Sequence, residues 1–117
     1  MAEEISLDPE ITVQAFAQLR AGAAPEQDAP VLLDVREPWE FSTAQIPGSL
    51  LMPMGEVRSR AHTELDPDAH IVVVCHHGQR SLSVAMWLRR EGFERAQSLA
   101  GGIEEWSRVI DPSVPRY

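Results

Sequence analysis

The sequence predicts an α/β fold, an open and mostly parallel β-sheet with helices on both faces, and three observations carry that prediction. Two short runs, residues 31–35 and 71–74, are rich in β-branched and apolar residues on successive positions, interrupted only by Asp34, as expected for strands covered on both faces. Around them lie segments whose apolar residues recur at helical spacing, so strand and helix alternate. The 117 residues, 44% hydrophobic and 24% charged, have the size and make-up of one domain, taken as residues 1–117, with a single core.

Along the chain, Asp8-Pro9-Glu10 reads as a helix start, with Asp8 as N-cap and Pro9 in the first helical position. Ile11, Ala15, Phe16 and Leu19 would share one face, and Gly22 would end the helix. An Ala/Pro-rich connection leads to the strand at 31–35, after which Pro38 and Trp39 begin a turn or short helix. Pro47-Gly48 marks a turn, residues 49–52 a short strand, and residues 56–65 a more polar helix closed by Pro67.

Ile71-Val72-Val73-Val74 is the strongest strand signal and is expected at the centre of the sheet. From Ser81, read as an N-cap, Val84, Ala85 and Leu88 keep helical spacing, with Arg89 and Arg90 in the last turn and Gly92 as the C-terminal cap. Residues 96–99 form one more strand, and Gly101-Gly102 turns into a final helix holding Ile103, Trp106 and Val109.

Composition narrows the function. All ten basic residues are arginines, so Schiff-base lysine chemistry and the P-loop lysine are excluded. Eighteen acidic residues give a net charge of −8, which argues against nucleic acid and anionic membranes as partners and favours a soluble monomer. The segment MAEEISLDPE has neither the basic start nor the apolar stretch of a signal peptide, so a cytoplasmic location is expected.

The single cysteine, Cys75, excludes an intramolecular disulfide and a thiolate-cluster zinc site, which leaves an inert core residue or a reactive thiol. Its position favours the thiol. The segment Cys75-His76-His77-Gly78-Gln79-Arg80-Ser81 joins a buried strand to a helix, where successive N–H groups curl into an anion-binding nest. A helix N-terminus and a nearby cation favour thiolate over thiol, and Arg80 is the loop's permanent cation. The same nest would hold a persulfide anion.

From residue 31 to 110 the chain closely resembles the rhodanese family, in which a cysteine opens a six-residue loop between a central strand and a helix. Here that loop is Cys75 to Arg80, accompanied in the family's order by LLDVREPWEF (residues 32–41), QIPGSLLMP (45–53) and GGIEEW (101–106). Gln45 departs from the pattern, which usually has histidine before Ile-Pro-Gly.

The resemblance implies a rhodanese-like fold and sulfurtransferase activity through a Cys75 persulfide, with no cofactor. The donor would be a small sulfur-containing anion such as thiosulfate, or a persulfide, and the acceptor cyanide or a thiol, extending to a sulfur-relay protein. It makes Cys75 the nucleophile, and His76, His77, Gly78, Gln79 and Arg80 the substrate-binding pocket, to which Ser81, also read as the cap of the next helix, is added.

Asp34, Arg36 and Glu40 are assigned to structural support, with Arg36 and Glu40 four apart and placed to pair. Trp39, Trp87 and Trp106 are read as core or rim, and His62 and His70 as surface residues. No metal site is expected, because adjacent His76 and His77 do not converge on one ion.

Two other functions compete. Phosphatases and arsenate reductases of related fold place five residues between cysteine and arginine, whereas this chain has four, His76 to Gln79, a tighter bowl suited to a terminal sulfur. A non-catalytic binding or regulatory module would be expected to have lost the cysteine.

Overall fold

The computed structural model describes residues 7–22 and 29–117. Most of the Ala/Pro-rich connection falls outside them. The element order is β1 (Glu10–Ile11), α1 (Val13–Ala21), β2 (Val31–Asp34), α2 (Pro38–Thr43), β3 (Leu50–Leu51), a 3-10 turn (Met54–Glu56), α3 (Val57–Glu64), β4 (Ile71–Val74), α4 (Gln79–Arg90), β5 (Ala96–Leu99) and α5 (Gly102–Val109). The strands form one five-stranded, all-parallel sheet in the order β1-β5-β4-β2-β3.

Successive side chains of a strand point to opposite faces, so each buried strand feeds two cores. Ile71, Val73 and Cys75 fall on one face with Val57 and Ala61 of α3 and Val84, Ala85 and Leu88 of α4. Val72 and Val74 fall on the other with Phe16 of α1 and Ile103 and Trp106 of α5. The four residues of β4 are fully buried, which is why the sequence there is unbroken hydrocarbon.

The chain leaves β2 toward β3 at one edge, then returns through α3 to β4 on the opposite side of β2, and continues outward to β5. The direction of winding therefore switches between β2 and β4. In open α/β sheets ligands bind in the crevice at such a switch, beyond the carboxyl ends of the strands. Cys75 follows the end of β4 there, and Asp34 ends β2 beside it, opposite Val74.

Three local expectations are corrected. Asp8-Pro9 does not start a helix, because β5 would otherwise be left with unpaired N–H groups at its outer edge. Ser98 N donates to Pro9 O (2.8 Å) and Ala100 N to Ile11 O (2.8 Å), so the segment is an edge strand, where proline's missing N–H costs nothing. The helix begins after Thr12, whose Oγ1 accepts from Ala15 N (3.0 Å). Its buried residues are Val13 and Phe16, while Ala15 and Leu19 are exposed. The third correction concerns Ser81, which lies inside α4 and not at its cap.

Among the described residues no helix is long and apolar enough to cross a membrane.

Candidate active site

Gly78 takes the N-cap position of α4 in the left-handed conformation, φ +110°, which side chains rarely adopt. That turn starts the helix at Gln79, places Ser81 in its first turn, and bends the loop back over Cys75. Gly78 N donates to Cys75 Sγ at 3.1 Å and Ser81 N at 3.2 Å, so two amides from the start of α4 converge on a sulfur that is 1% exposed.

Ser81 replaces its expected capping role with contact to the sulfur. The Cys75 thiol donates to Ser81 Oγ (3.3 Å), and Ser81 Oγ lies 2.7 Å from Ser98 Oγ on β5, all three groups being buried. The hydroxyl chain can reverse direction. With a thiol, Ser81 accepts from sulfur and donates to Ser98; with a thiolate, Ser98 donates to Ser81 and Ser81 to sulfur.

The outer side of the loop is held by the final helix. A loop whose amides turn inward leaves its carbonyls pointing away, and buried carbonyls need donors. Ile103 N donates to Cys75 O (2.9 Å) and Glu104 N to His76 O (3.1 Å), both from the first turn of α5. Gly102 makes this approach possible: a Cβ there would stand 2.4 Å from His76 O and 2.5 Å from Cys75 O.

His76 is half-buried and sandwiched, with ring centroids 4.0 Å from both His77 and Tyr117. Its Nε2 is buried without a hydrogen-bond partner among the described residues. Burial, followed by His77, holds it below the usual imidazole range. His77 and Gln79 are exposed at the rim.

Arg80, the permanent cation of the loop, is held by a carboxylate from α2. Its Nη1 and Nη2 donate to Glu40 Oε1 (2.8 Å) and Oε2 (3.0 Å), and those bonds hold the Glu40 carboxyl down to about 2. Arg36 and Glu40 do not form the expected side-chain pair. Arg36, fully buried, bonds Asp34 Oδ2 through Nη2 (2.7 Å), and donates to the carbonyls of Ala44 (2.6 Å) and Glu40 (3.3 Å). Glu40 is thereby free to reach the loop.

Tyr117 ties the network together. Its hydroxyl accepts from Arg36 Nη1 (2.9 Å) and donates to Glu40 Oε2 (2.8 Å), and burial pushes its phenol up to about 12. Trp39, 64% exposed, meets it edge-on at 6.0 Å on the rim; Trp106 is in the core. His70 bonds Gln97 Oε1 (2.7 Å) and His62 bonds Glu91 (3.1 Å), both away from Cys75.

Sequence reasoning did not find Ser98, Tyr117 or the part played by Gly102. Ser98 left a trace, a small polar residue within a wholly buried strand. Tyr117 left none, because nothing local to it indicates a contact with Glu40, 77 positions away.

A cysteine held by helix amides at the switch point of a five-stranded parallel sheet defines a class of α/β proteins with an anion-binding cysteine loop. Comparison with known proteins narrows the class: the rhodanese-like domain profile matches residues 16–109, and the chain belongs to that family. It is 35% identical over 106 residues to the putative sulfur carrier protein YrkF of Bacillus subtilis, covering 91% of this chain and 55% of the relative. It is 40% identical over 87 residues to the thiosulfate sulfurtransferase GlpE of Pseudomonas syringae, covering 74% and 80%. A rhodanese-related protein from Thermoplasma volcanium superposes with a TM-score of 0.78 at 27% identity, over 94% of this chain and all of that one. The chain thus spans about half of YrkF, and only 31% and 23% of two longer relatives.

Proposed function

We propose that the protein is a sulfurtransferase that carries a sulfane sulfur on Cys75 as a persulfide. The observation that carries this reading is the pair of amides, Gly78 N and Ser81 N, on a buried cysteine sulfur. Amides fixed at a helix start stabilise negative charge on that sulfur before and after transfer, at no cost of rearrangement. His76, His77, Gly78, Gln79, Arg80 and Ser81 form the pocket around it.

The Cys75 thiolate attacks the outer sulfur of thiosulfate or of a persulfide. The donor's S–S bond breaks, sulfite or a thiolate leaves with the electron pair, and Cys75 bears an S–S⁻ group. An acceptor nucleophile, cyanide or a thiol, then attacks the terminal sulfur and regenerates the Cys75 thiolate. Each step moves one sulfur with its charge, so no external oxidant or reductant is needed, and ping-pong kinetics follow.

The four residues between Cys75 and Arg80 favour this over phosphoryl transfer, whose tetrahedral oxyanion needs a wider bowl. The names of GlpE and YrkF point the same way, the latter also toward a place in a protein sulfur relay. The test is intact mass before and after a sulfane donor, then thiocyanate release on adding cyanide. One sulfur gained and discharged is expected, with Cys75→Ser folded but inert. No gain on an alkylatable Cys75, or undiminished transfer by the serine variant, would overturn the proposal.

A further inference from the structure

The one cation of the Cys75 loop itself is already matched by a carboxylate. Arg80 has two terminal nitrogens on Glu40, which is only 4% exposed and ionised at any working pH. Arg36 lies against Asp34 beneath the site, and Arg116 is bonded to Glu104 beside it. His76 faces Glu40, Glu104, Arg36 and His77, and its burial leaves it neutral at neutral pH. What remains to receive an anion is the pair of amide dipoles on Sγ, in a chain of net charge −8. Two amides suit one negative charge on sulfur; a second charge on the same donor meets, within the loop, only an arginine already held by Glu40.

We propose that Glu40 is a specificity-determining residue of this site: by neutralising Arg80 it makes the Cys75 loop disfavour doubly charged sulfane donors such as thiosulfate and favour singly charged alkyl persulfides. The inference rests on Cys75 as the sulfur carrier and specifies its donor class. In the favoured step the Cys75 thiolate attacks the outer sulfur of R–S–S⁻, the donor S–S bond breaks, and R–S⁻ departs and is protonated by water. The sulfur moves without net redox change, and the departing group leaves as a monoanion.

The test compares kcat/KM for thiosulfate and for 2-hydroxyethyl persulfide in the wild-type protein and in Glu40→Gln. Glutamine keeps an acceptor for the Glu37 amide at the start of α2, where Glu40 Oε1 now accepts at 2.9 Å, so the helix cap survives. The wild type should prefer the persulfide, and E40Q should raise the thiosulfate-to-persulfide ratio about tenfold, since an unmasked cation attracts the dianion more. A second readout needs no variant. With Arg80 matched by Glu40, raising NaCl from roughly 20 to roughly 200 mM chiefly screens the repulsion of a negative protein, so KM for thiosulfate stays level or falls.

A wild-type preference for thiosulfate, an unchanged ratio in E40Q, or a thiosulfate KM that rises with salt would each overturn the inference while leaving sulfur transfer standing. Failure of both donors to add sulfur to Cys75, read by mass, would overturn the sulfur-carrier reading beneath it.

Discussion

Replacing Gly102 by alanine should disable the loop without touching a residue that contacts the sulfur. The added Cβ would lie 2.4 Å from His76 O and 2.5 Å from Cys75 O, both backbone atoms with no side-chain freedom to yield. Restoring van der Waals distance requires a displacement of about 1 Å between α5 and the loop. That displacement also strains Ile103 N to Cys75 O and Glu104 N to His76 O, about 1 kcal/mol each. The φ of +65° adds a further ~1–2 kcal/mol for any residue with a Cβ.

The total, about 3 kcal/mol, corresponds to a fall in Tm on the order of 10 °C. A misplacement of ~1 Å at reacting groups lowers rates by about a hundredfold, which is the expected loss in kcat/KM for sulfur transfer. Gly92→Ala is the control. Gly92 has φ +101° but open space where its Cβ would go, so it carries the backbone strain without the clash. Thermal unfolding and thiocyanate release are measured on both variants. If G102A turns over within threefold of G92A, the close packing of α5 on the loop is not what shapes the site, and the reasoning fails.

Three further outcomes follow from the same contacts. Ser81→Ala removes the hydroxyl 3.3 Å from Cys75 Sγ and strands buried Ser98 Oγ, so stability should fall by about 1–3 kcal/mol and Cys75 alkylation by iodoacetamide should slow several-fold at pH 7; an unchanged alkylation rate would remove Ser81 from the sulfur's electrostatics. Tyr117→Phe keeps the ring on His76 but loses hydrogen bonds with Arg36 and Glu40, and urea denaturation should register about 1.5–3 kcal/mol, with no loss counting against the network. Glu40 is held at about 2 against an ordinary value of 4.5, so its contribution is complete above pH 4.5 and lost as pH falls through 2; the stability gap between wild type and Glu40→Gln should shrink by on the order of 3 kcal/mol over that window, and a gap constant with pH would refute it.

The sheet was legible where burial alone determines the residue type. Residues 71–74 are apolar without exception because both faces are covered, and β4 is central. Pro38 marked the start of α2 and Gly22 the end of α1 because both signals act within one turn of chain. Where two local readings were equivalent, a distant partner decided. Asp8-Pro9-Glu10 suits a helix start or an edge strand equally well, and the unpaired N–H groups of β5 select the strand. Arg36 and Glu40 satisfy helical spacing, yet Arg36 finds Asp34, and Glu40 finds Arg80 across forty positions. The place of Cys75 was legible because it directly follows the strongest strand signal and opens a glycine-bearing loop. Its matched charges were not, since pairing is a property of the folded crevice.

The two helix starts around Cys75 do different work, and one depends on the other. Amides of α4 turn toward the sulfur, and a backbone that curls its N–H groups inward must send carbonyls the other way. In an otherwise buried site those carbonyls, of Cys75 and His76, would remain unsatisfied at a cost of about 1–3 kcal/mol each, and the loop would relax by turning its amides out. The N–H groups of Ile103 and Glu104 prevent that relaxation. The inward-facing amides of α4 therefore depend on α5 coming within hydrogen-bond distance of the loop, and that distance is available only with no side chain at Gly102. The Gly-Gly turn after β5 thus belongs to the site as much as the loop does, although the hydrogen bonds to the sulfur come from Gly78 and Ser81.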